Sequence, residues 1–351
     1  MVKNSAESVL LATGADALVT TQSDFRFYLT GFQSSFGVVV TDKNSTVFYT
    51  DNRYLEGAQK SLSDSGIQVK EYPRGVKLTE LLSGYKTLAV PFNRITADEY
   101  NSFINANFTL IDSAPAFKNA MAVKSEEEIK NITLACKATD KAFLQLLPQI
   151  KEGMTENEVA ALLEYLMRCN GASGTSFDTI CAFGANGSVP HHETGMTKLK
   201  FGDAILLDFG CKINGHCSDC TRTILFGDDK NHEEFKDIYY KVLTAHMLVK
   251  EQFTAGMTGK AGDAIARDYL ANHNLAQYFT HSLGHSLGIN IHESPNLNPN
   301  DESVFQNGMV FSDEPGVYIA GKLGIRIEDT VTLKGGKVAS LTNSDKELII
   351  L

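Results

Sequence analysis

The amino-acid sequence predicts an α+β protein in two parts: a small α/β domain followed by a larger domain built from a duplicated helix-helix-sheet unit. Three observations carry that expectation. The chain has 351 residues, more than one hydrophobic core usually organises. Its first third alternates short β-rich runs with helical stretches, the pattern of an α/β layer. Further on, the tripeptide Gly-Met-Thr occurs at residues 153–155 and again at 256–258, each time behind a long helical pattern.

In chain order, the β-rich runs fall at residues 16–20, 36–41 and 45–50, with Asp-Lys-Asn-Ser at 42–45 marking a hairpin between the last two. Residues 53–63 read as helix. Ser-Ala-Pro-Ala-Phe at 113–117 breaks the pattern, and Ser125 with Glu128 then forms a capping box that opens a helix over 125–147. The domain boundary is therefore expected near 120, giving domains 1–120 and 121–351. Thr155 and Glu158 make a second capping box, and that helix should stop at Asn170-Gly171, a left-handed cap. A helix from about 232 to 252 precedes the second Gly-Met-Thr, so a site is expected between the two halves.

Composition narrows the function classes. With 42 acidic against 32 basic residues, a net charge of -10 and no basic run, nucleic acid is not an expected partner. No stretch is long and apolar enough to span a bilayer, and the first residues lack a signal-like apolar core, so no membrane partner and a cytoplasmic location are expected. Six scattered cysteines in a chain of this size read as reduced thiols.

The densest chemistry begins near Asp208. Two β-rich runs flank Asn214-Gly215, a preferred pair for a two-residue hairpin loop. If those residues are the loop, Ile213 faces His216, Asp208 faces Thr221, and Asp219 shares the face of Asp208. Two acids at such diagonal positions have backbones roughly 7–8 Å apart, close enough to need a positive partner. Metal ions would supply that charge; a hydrogen-bonded turn or an ordinary salt bridge with Arg222 is the alternative reading. The same count puts Cys217 on the Asp219 face and Cys220 on the other, so the Cys-x-x-Cys pair is not expected to chelate one ion. Downstream, His281, His285 and His292 fall within twelve residues, with Gly284 and Gly288 placed to let backbone approach a ligand closely. Glu314 and Glu328 each emerge from an apolar strand context. One histidine with four carboxylates is an oxygen-rich set suited to Mn²⁺ or another octahedral ion, and to two ions sharing carboxylates.

At these residues the sequence resembles the pita-bread metallopeptidases, the family of methionine aminopeptidase, aminopeptidase P, prolidase and the metal-free creatinase. The resemblance lies in Asp-Phe-Gly at Asp208, Ser-Asp-x-Thr-Arg-Thr at Asp219, Gly-His-x-x-Gly at His285, Glu-Pro-Gly at Glu314 and Arg-Ile-Glu-Asp at Glu328. Phe-Tyr-Leu-Thr-Gly-Phe at 27–32 and Tyr-Thr-Asp-Asn-Arg-Tyr at 49–54 resemble the creatinase-like N-terminal domain of the proline-specific branch. The resemblance implies a pita-bread catalytic domain, five metal ligands (Asp208, Asp219, His285, Glu314 and Glu328) and two divalent ions, Mn²⁺ first, with Co²⁺ or Zn²⁺ as alternatives. It implies hydrolysis before proline, with proline-containing peptides as partners and a homodimeric state.

By the same resemblance, Glu314 shuttles the proton, His292 and His191 steady the oxyanion and substrate backbone, His281 lies at the pocket edge, and Arg326 orients Glu328. His281 and His292 can also be read as hydrogen-bonding supports without catalytic duty. The remaining histidines, His192, His216, His232, His246 and His273, read as surface or packing residues. Many prolidases carry arginine directly after His-Glu-x-Pro, suited to gripping a dipeptide's carboxylate; here that position is Asn296. This departure favours an Xaa-Pro aminopeptidase over an Xaa-Pro dipeptidase. A non-catalytic peptide-binding protein on the same scaffold is the rival from another class, and retention of all five ligand positions argues against it.

Overall fold

Residues 2–228 and 232–351 are described by the computed structural model, which separates into two units, one ending at Met121 and one beginning at Ala122. In the first unit, helices α1 (Val2–Thr13), α2 (Ser23–Thr30), α3 (Leu55–Ser61), α4 (Leu78–Leu81), α5 (Ala97–Asn105) and α6 (Ala114–Ala122, whose last residue opens the second unit) accompany one mixed sheet. Its strands β1 (Ala17–Thr20), β2 (Val38–Asp42), β3 (Thr46–Thr50), β4 (Gln68–Glu71), β5 (Thr87–Val90) and β6 (Thr109–Asp112) lie in the order β4-β3-β2-β1-β5-β6. The β2–β3 hairpin turns where expected, because Asp42 Oδ1 accepts the backbone N–H groups of Asn44 and Ser45. Val19, Val38, Val40, Leu88, Val90 and Phe103 form the core of this sheet. One expectation fails: residues 113–117 do not break the structure but start α6. Pro115 falls in the helix's first turn, where its missing N–H leaves no hydrogen bond unmade.

The second unit opens with α7 (Glu126–Leu146), held by the Ser125–Glu128 capping box, and α8 (Glu156–Cys169), held by the Thr155–Glu158 box. Gly171, with φ of 101°, ends α8 as a left-handed stop. Strands β7 (Gly174–Thr175), β8 (Ile180–Phe183), β9 (Ala204–Phe209), β10 (Cys211–Ile213), β11 (His216–Cys217) and β12 (Cys220–Leu225) follow, forming the sheets β11-β10-β7 and β12-β9-β8. Then α9 (Glu233–Gln252) and α10 (Gly259–Asn272) precede β13 (Gly284–Ser286), β14 (Glu293–Leu297), β15 (Val310–Asp313), β16 (Gly316–Ile319), β17 (Leu323–Arg326), β18 (Asp329–Lys334) and β19 (Lys337–Ser340). These strands make the sheet β14-β13-β15-β18-β19 and the hairpin β16-β17.

The repeated tripeptide is a repeated turn. Gly153 N–H donates to Leu199 O as Gly256 N–H donates to Phe305 O, and each glycine has a positive φ. Met154 Sδ accepts the N–H of Lys151 at 3.3 Å, and Met257 Sδ accepts that of Thr254 at 3.3 Å. Each half has its own core. In the first, α7 turns Ala135, Ala142 and Phe143 onto Leu207 and Phe209 of β9; in the second, α9 turns Tyr239, Val242 and Val249 onto a cluster containing Phe311 and Val331.

Candidate metal centre

The hairpin register follows the count from Asn214-Gly215. Both loop residues have positive φ (49° and 76°), as a type I′ turn requires, so Ile213 pairs with His216 and Asp208 with Thr221. Asp208 therefore leaves β9, and Asp219 leaves the chain just before β12, toward one place. Asp219 is fixed by its backbone, whose N–H donates to Thr330 Oγ1 and whose carbonyl accepts from the same hydroxyl. Glu328 arrives between β17 and β18; its N–H donates to Thr221 O, and its Oε2 accepts from Thr221 Oγ1 at 2.6 Å. The result is that Asp208, Asp219 and Glu328 each bring an oxygen within 4.8 Å of the other two.

His285 and Glu314 complete the group. His285 Nδ1 lies 3.2 Å from Ser286 O, so Nδ1–H donates there and Nε2 is left facing Asp219 Oδ2 at 3.6 Å and Glu314 Oε1 at 3.5 Å. Burial, then the neighbouring His292, pulls the His285 imidazole down to about 4, so the ring is neutral with a free lone pair. Glu314 Oε1 accepts from Ser312 Oγ at 2.9 Å.

The donor set fits cations. Burial, reinforced by the neighbouring carboxylates, pushes Asp219 and Glu328 well above the usual carboxylate range. Burial likewise pushes Glu314 up to about 8, with Arg326 opposing and Asp208 adding to it. Buried Asp208 Oδ1 has no hydrogen-bond partner among the described residues. Four converging acids with an unmatched oxygen and one unprotonated histidine nitrogen are what hard divalent cations would satisfy.

Arg326 is fully engaged around this group, though not as expected. Its Nη2 donates to Asp208 Oδ2 at 2.6 Å, its Nε to Thr221 Oγ1 at 3.0 Å, and its Nη1 to Tyr318 Oη at 2.6 Å and Pro190 O at 3.2 Å. It thus orients Asp208 directly and reaches Glu328 only through Thr221. Arg222, offered by the sequence as a salt-bridge partner for the hairpin acids, pairs with Asp329 at 2.9 Å. Cys217 packs with Ile132, Leu287 and Val310, and Cys220 in a separate core cluster. Gly284 and Gly288 serve protein packing: a Cβ on Gly284 would meet Ser312 O at 2.0 Å, and one on Gly288 would meet Glu293 Oε2 at 2.9 Å.

The five residues line a cavity of about 550 Å³, together with His191, His281, His292, Asn296 and Arg326. His292 lies against His285, with ring centroids 4.3 Å apart and the planes tilted by 58°, and burial followed by His191 lowers its pKa. His281 has both ring nitrogens occupied, Nδ1–H donating to Ser282 O at 2.8 Å and Nε2 accepting from Tyr318 Oη at 2.9 Å. Burial, then Arg326, holds its imidazole down to about 3, consistent with that neutral form. His192 bonds buried Glu156 at 3.0 Å. Thr221 and Tyr318 tie the cluster together; the hairpin count places Thr221 opposite Asp208, but no local motif marks either residue.

A metal-dependent peptidase of the pita-bread class is what this fold and donor set describe. Residues 130–334 match the family model described as metallopeptidase family M24, and residues 5–120 match that of the creatinase/prolidase N-terminal domain; the chain belongs to this metallopeptidase family. It is similar to an Xaa-Pro dipeptidase from Bacillus anthracis, whose structure superposes with a TM-score of 0.95 at 34% identity over 100% of both chains. It is also similar to an X-Pro aminopeptidase from Thermotoga maritima, with a TM-score of 0.91 at 32% identity over 98% of this chain and 99% of that one. Among curated proteins, the Xaa-Pro dipeptidase of Pyrococcus horikoshii is 34% identical over 99% of this chain and 96% of its own. Among the described residues, no helix is long and apolar enough to cross a membrane.

Proposed function

We propose that the chain is a two-metal Xaa-Pro aminopeptidase, cleaving the bond between an N-terminal residue and proline in peptides longer than a dipeptide. The observation that carries this reading is the convergence of Asp208, Asp219, His285, Glu314 and Glu328 in the lining of one cavity of about 550 Å³. Those five side chains would hold two divalent ions, Mn²⁺ best matching the oxygen-rich set, with Co²⁺ or Zn²⁺ as substitutes. When bound, such ions supply an acidified water and a Lewis acid for the scissile carbonyl.

The chain's own residues do the rest. Glu314, steadied by Ser312, takes the water's proton and returns it to the proline nitrogen as the bond breaks. His292 and His191 line the cavity as hydrogen-bond donors for the developing oxyanion and the substrate backbone. Arg326 fixes the rotamer of Asp208, and His281 acts behind it through Tyr318 rather than on substrate.

Preference for longer peptides rests on the cavity's cations. Asn296 lines the cavity where a carboxylate-gripping arginine would be placed, and Arg326, the arginine of the lining, has its nitrogens committed. The alternative, a dipeptidase, is favoured by the names of the Bacillus anthracis and Pyrococcus horikoshii relatives. Initial rates of alanine release from Ala-Pro-Ala and proline release from Ala-Pro, on Mn²⁺-loaded protein, separate the two. A higher kcat/KM for the tripeptide is expected; a dipeptide preference would reassign the protein as a prolidase. The family reading further proposes a cytoplasmic homodimer, with mass by light scattering as its check.

A further inference from the structure

The helix α9 carries a buried charge that the proposed reaction does not use. His246 is fully buried, with Nδ1 3.0 Å from Asp313 Oδ2 and Nε2 3.4 Å from Asp329 Oδ2. Those aspartates are direct register partners on the antiparallel strands β15 and β18, and both are fully buried. Like charges at facing positions repel, so a pair of this kind needs a cation beside it. Asp329 also has Arg222, Lys346, Ser340 and Thr342 around it. Asp313 does not: among the described residues, His246 is the cation in ion-pair contact with it, and neither of its carboxylate oxygens makes an aligned hydrogen bond.

Chain order connects this clasp to the site. Glu314 follows Asp313 and Glu328 precedes Asp329, and successive residues of extended chain point to opposite sides. Accordingly Glu314 and Glu328 line the cavity while Asp313 and Asp329 do not. We propose that His246 is a positioning residue, bridging Asp313 to Asp329 behind the sheet and thereby setting the separation of Glu314 and Glu328 in front of it. Burial pulls the His246 imidazole down, but the two carboxylates outweigh it and push it up to about 9, so the bridge is charged at neutral pH. The inference rests on reading Glu314 and Glu328 as metal-holding residues, and it deepens that reading by naming what spaces them.

The test is Mn²⁺ binding by calorimetry on chelated, folded protein, with folding checked by circular dichroism and thermal midpoint recorded separately. His246→Gln is expected to weaken Mn²⁺ binding by about tenfold or more, the usual scale for a residue that orients ligands from behind. It should also lower kcat on Ala-Pro-Ala at saturating Mn²⁺ with little change in KM. Adding Asp313→Asn to His246→Gln removes the like-charge pair and lets neutral amides span the gap, so binding should return to within about threefold of wild type. Should the single variant fail to fold, the double variant alone must meet that mark. Binding by folded His246→Gln equal to wild type, or a double variant that stays weak, overturns the proposal. Wild-type protein that binds no Mn²⁺ overturns the reading of the site itself.

Discussion

The two halves of the C-terminal unit place opposite chemistry at the same helical position. Ten residues before each Gly-Met-Thr stands Phe143 in the first half and His246 in the second. Phe143 stacks on Phe209 of β9, with centroids 5.7 Å apart, inside a wholly apolar cluster. His246 packs instead between two buried aspartates. The first half presents Asp208 and Asp219 from a tight hairpin whose type I′ turn already fixes their register. The second half must align Glu314 and Glu328 on segments joined by the longer β16–β17 hairpin, and it does so with charge behind the sheet. A duplicated scaffold thus keeps its turn and changes what holds the sheet according to what the sheet presents.

The largest expected effect falls on the cavity side of this comparison. Glu314→Ala should cut kcat by roughly 10³-fold or more, the scale of a lost proton shuttle, as read by alanine release from Ala-Pro-Ala. Its urea midpoint without metal should not fall, since the removed carboxyl is held among acids whose charge burial already opposes. Unaltered turnover would remove Glu314 from the mechanism.

Phe143→Ala should cost about 3–5 kcal/mol in urea unfolding, the price of a buried aromatic, yet leave Mn²⁺ affinity near wild type. An equal loss of metal affinity would mean that the two helical positions do the same work.

The charged clasp should instead show itself in pH. The folded His246 imidazole, at about 9, lies above its ordinary value of 6.5. Its contribution to stability is therefore complete below about 6.5 and lost as pH rises through about 9, a difference worth about 3 kcal/mol. Asp313 and Asp329 face it, with Lys250, Lys346 and Arg222 around Asp329. Urea midpoints of the metal-free protein between pH 6 and 10 should fall in that window, and the fall attributable to His246 should vanish in His246→Gln. A window unchanged in the variant would assign the titration elsewhere. The smallest effect is expected for Cys217→Ser, below about 2 kcal/mol and with unchanged metal dependence, because the buried thiol already donates to Ile289 O at 3.5 Å, an acceptor the serine hydroxyl would keep.

Much of the fold and of the cluster was legible because local rules specify it. Capping boxes at Ser125 and Thr155 and the Asn214-Gly215 turn are short-range signals, and a period of two carries the turn's register back to Asp208. Long-range partners were not legible. A flexible arginine can reach several acids, so neither Arg222 with Asp329 nor Arg326 with Asp208 follows from spacing. His246 carries no local motif, and its partners lie far along the chain, although acids beside Glu314 and Glu328 in apolar strands were a signal that something must neutralise them. Pro115 signals a break in sequence yet sits in the first turn of α6, because a proline that breaks a helix interior is well placed in a first turn.

The most direct measurement is a Mn²⁺ titration of chelated protein, following alanine release from Ala-Pro-Ala beside Ala-Ala-Ala. The account predicts no cleavage without the ion, a rate that rises with added Mn²⁺ and saturates, and cleavage of the proline peptide alone. Full activity in chelated protein, or equal cleavage of Ala-Ala-Ala, would contradict it.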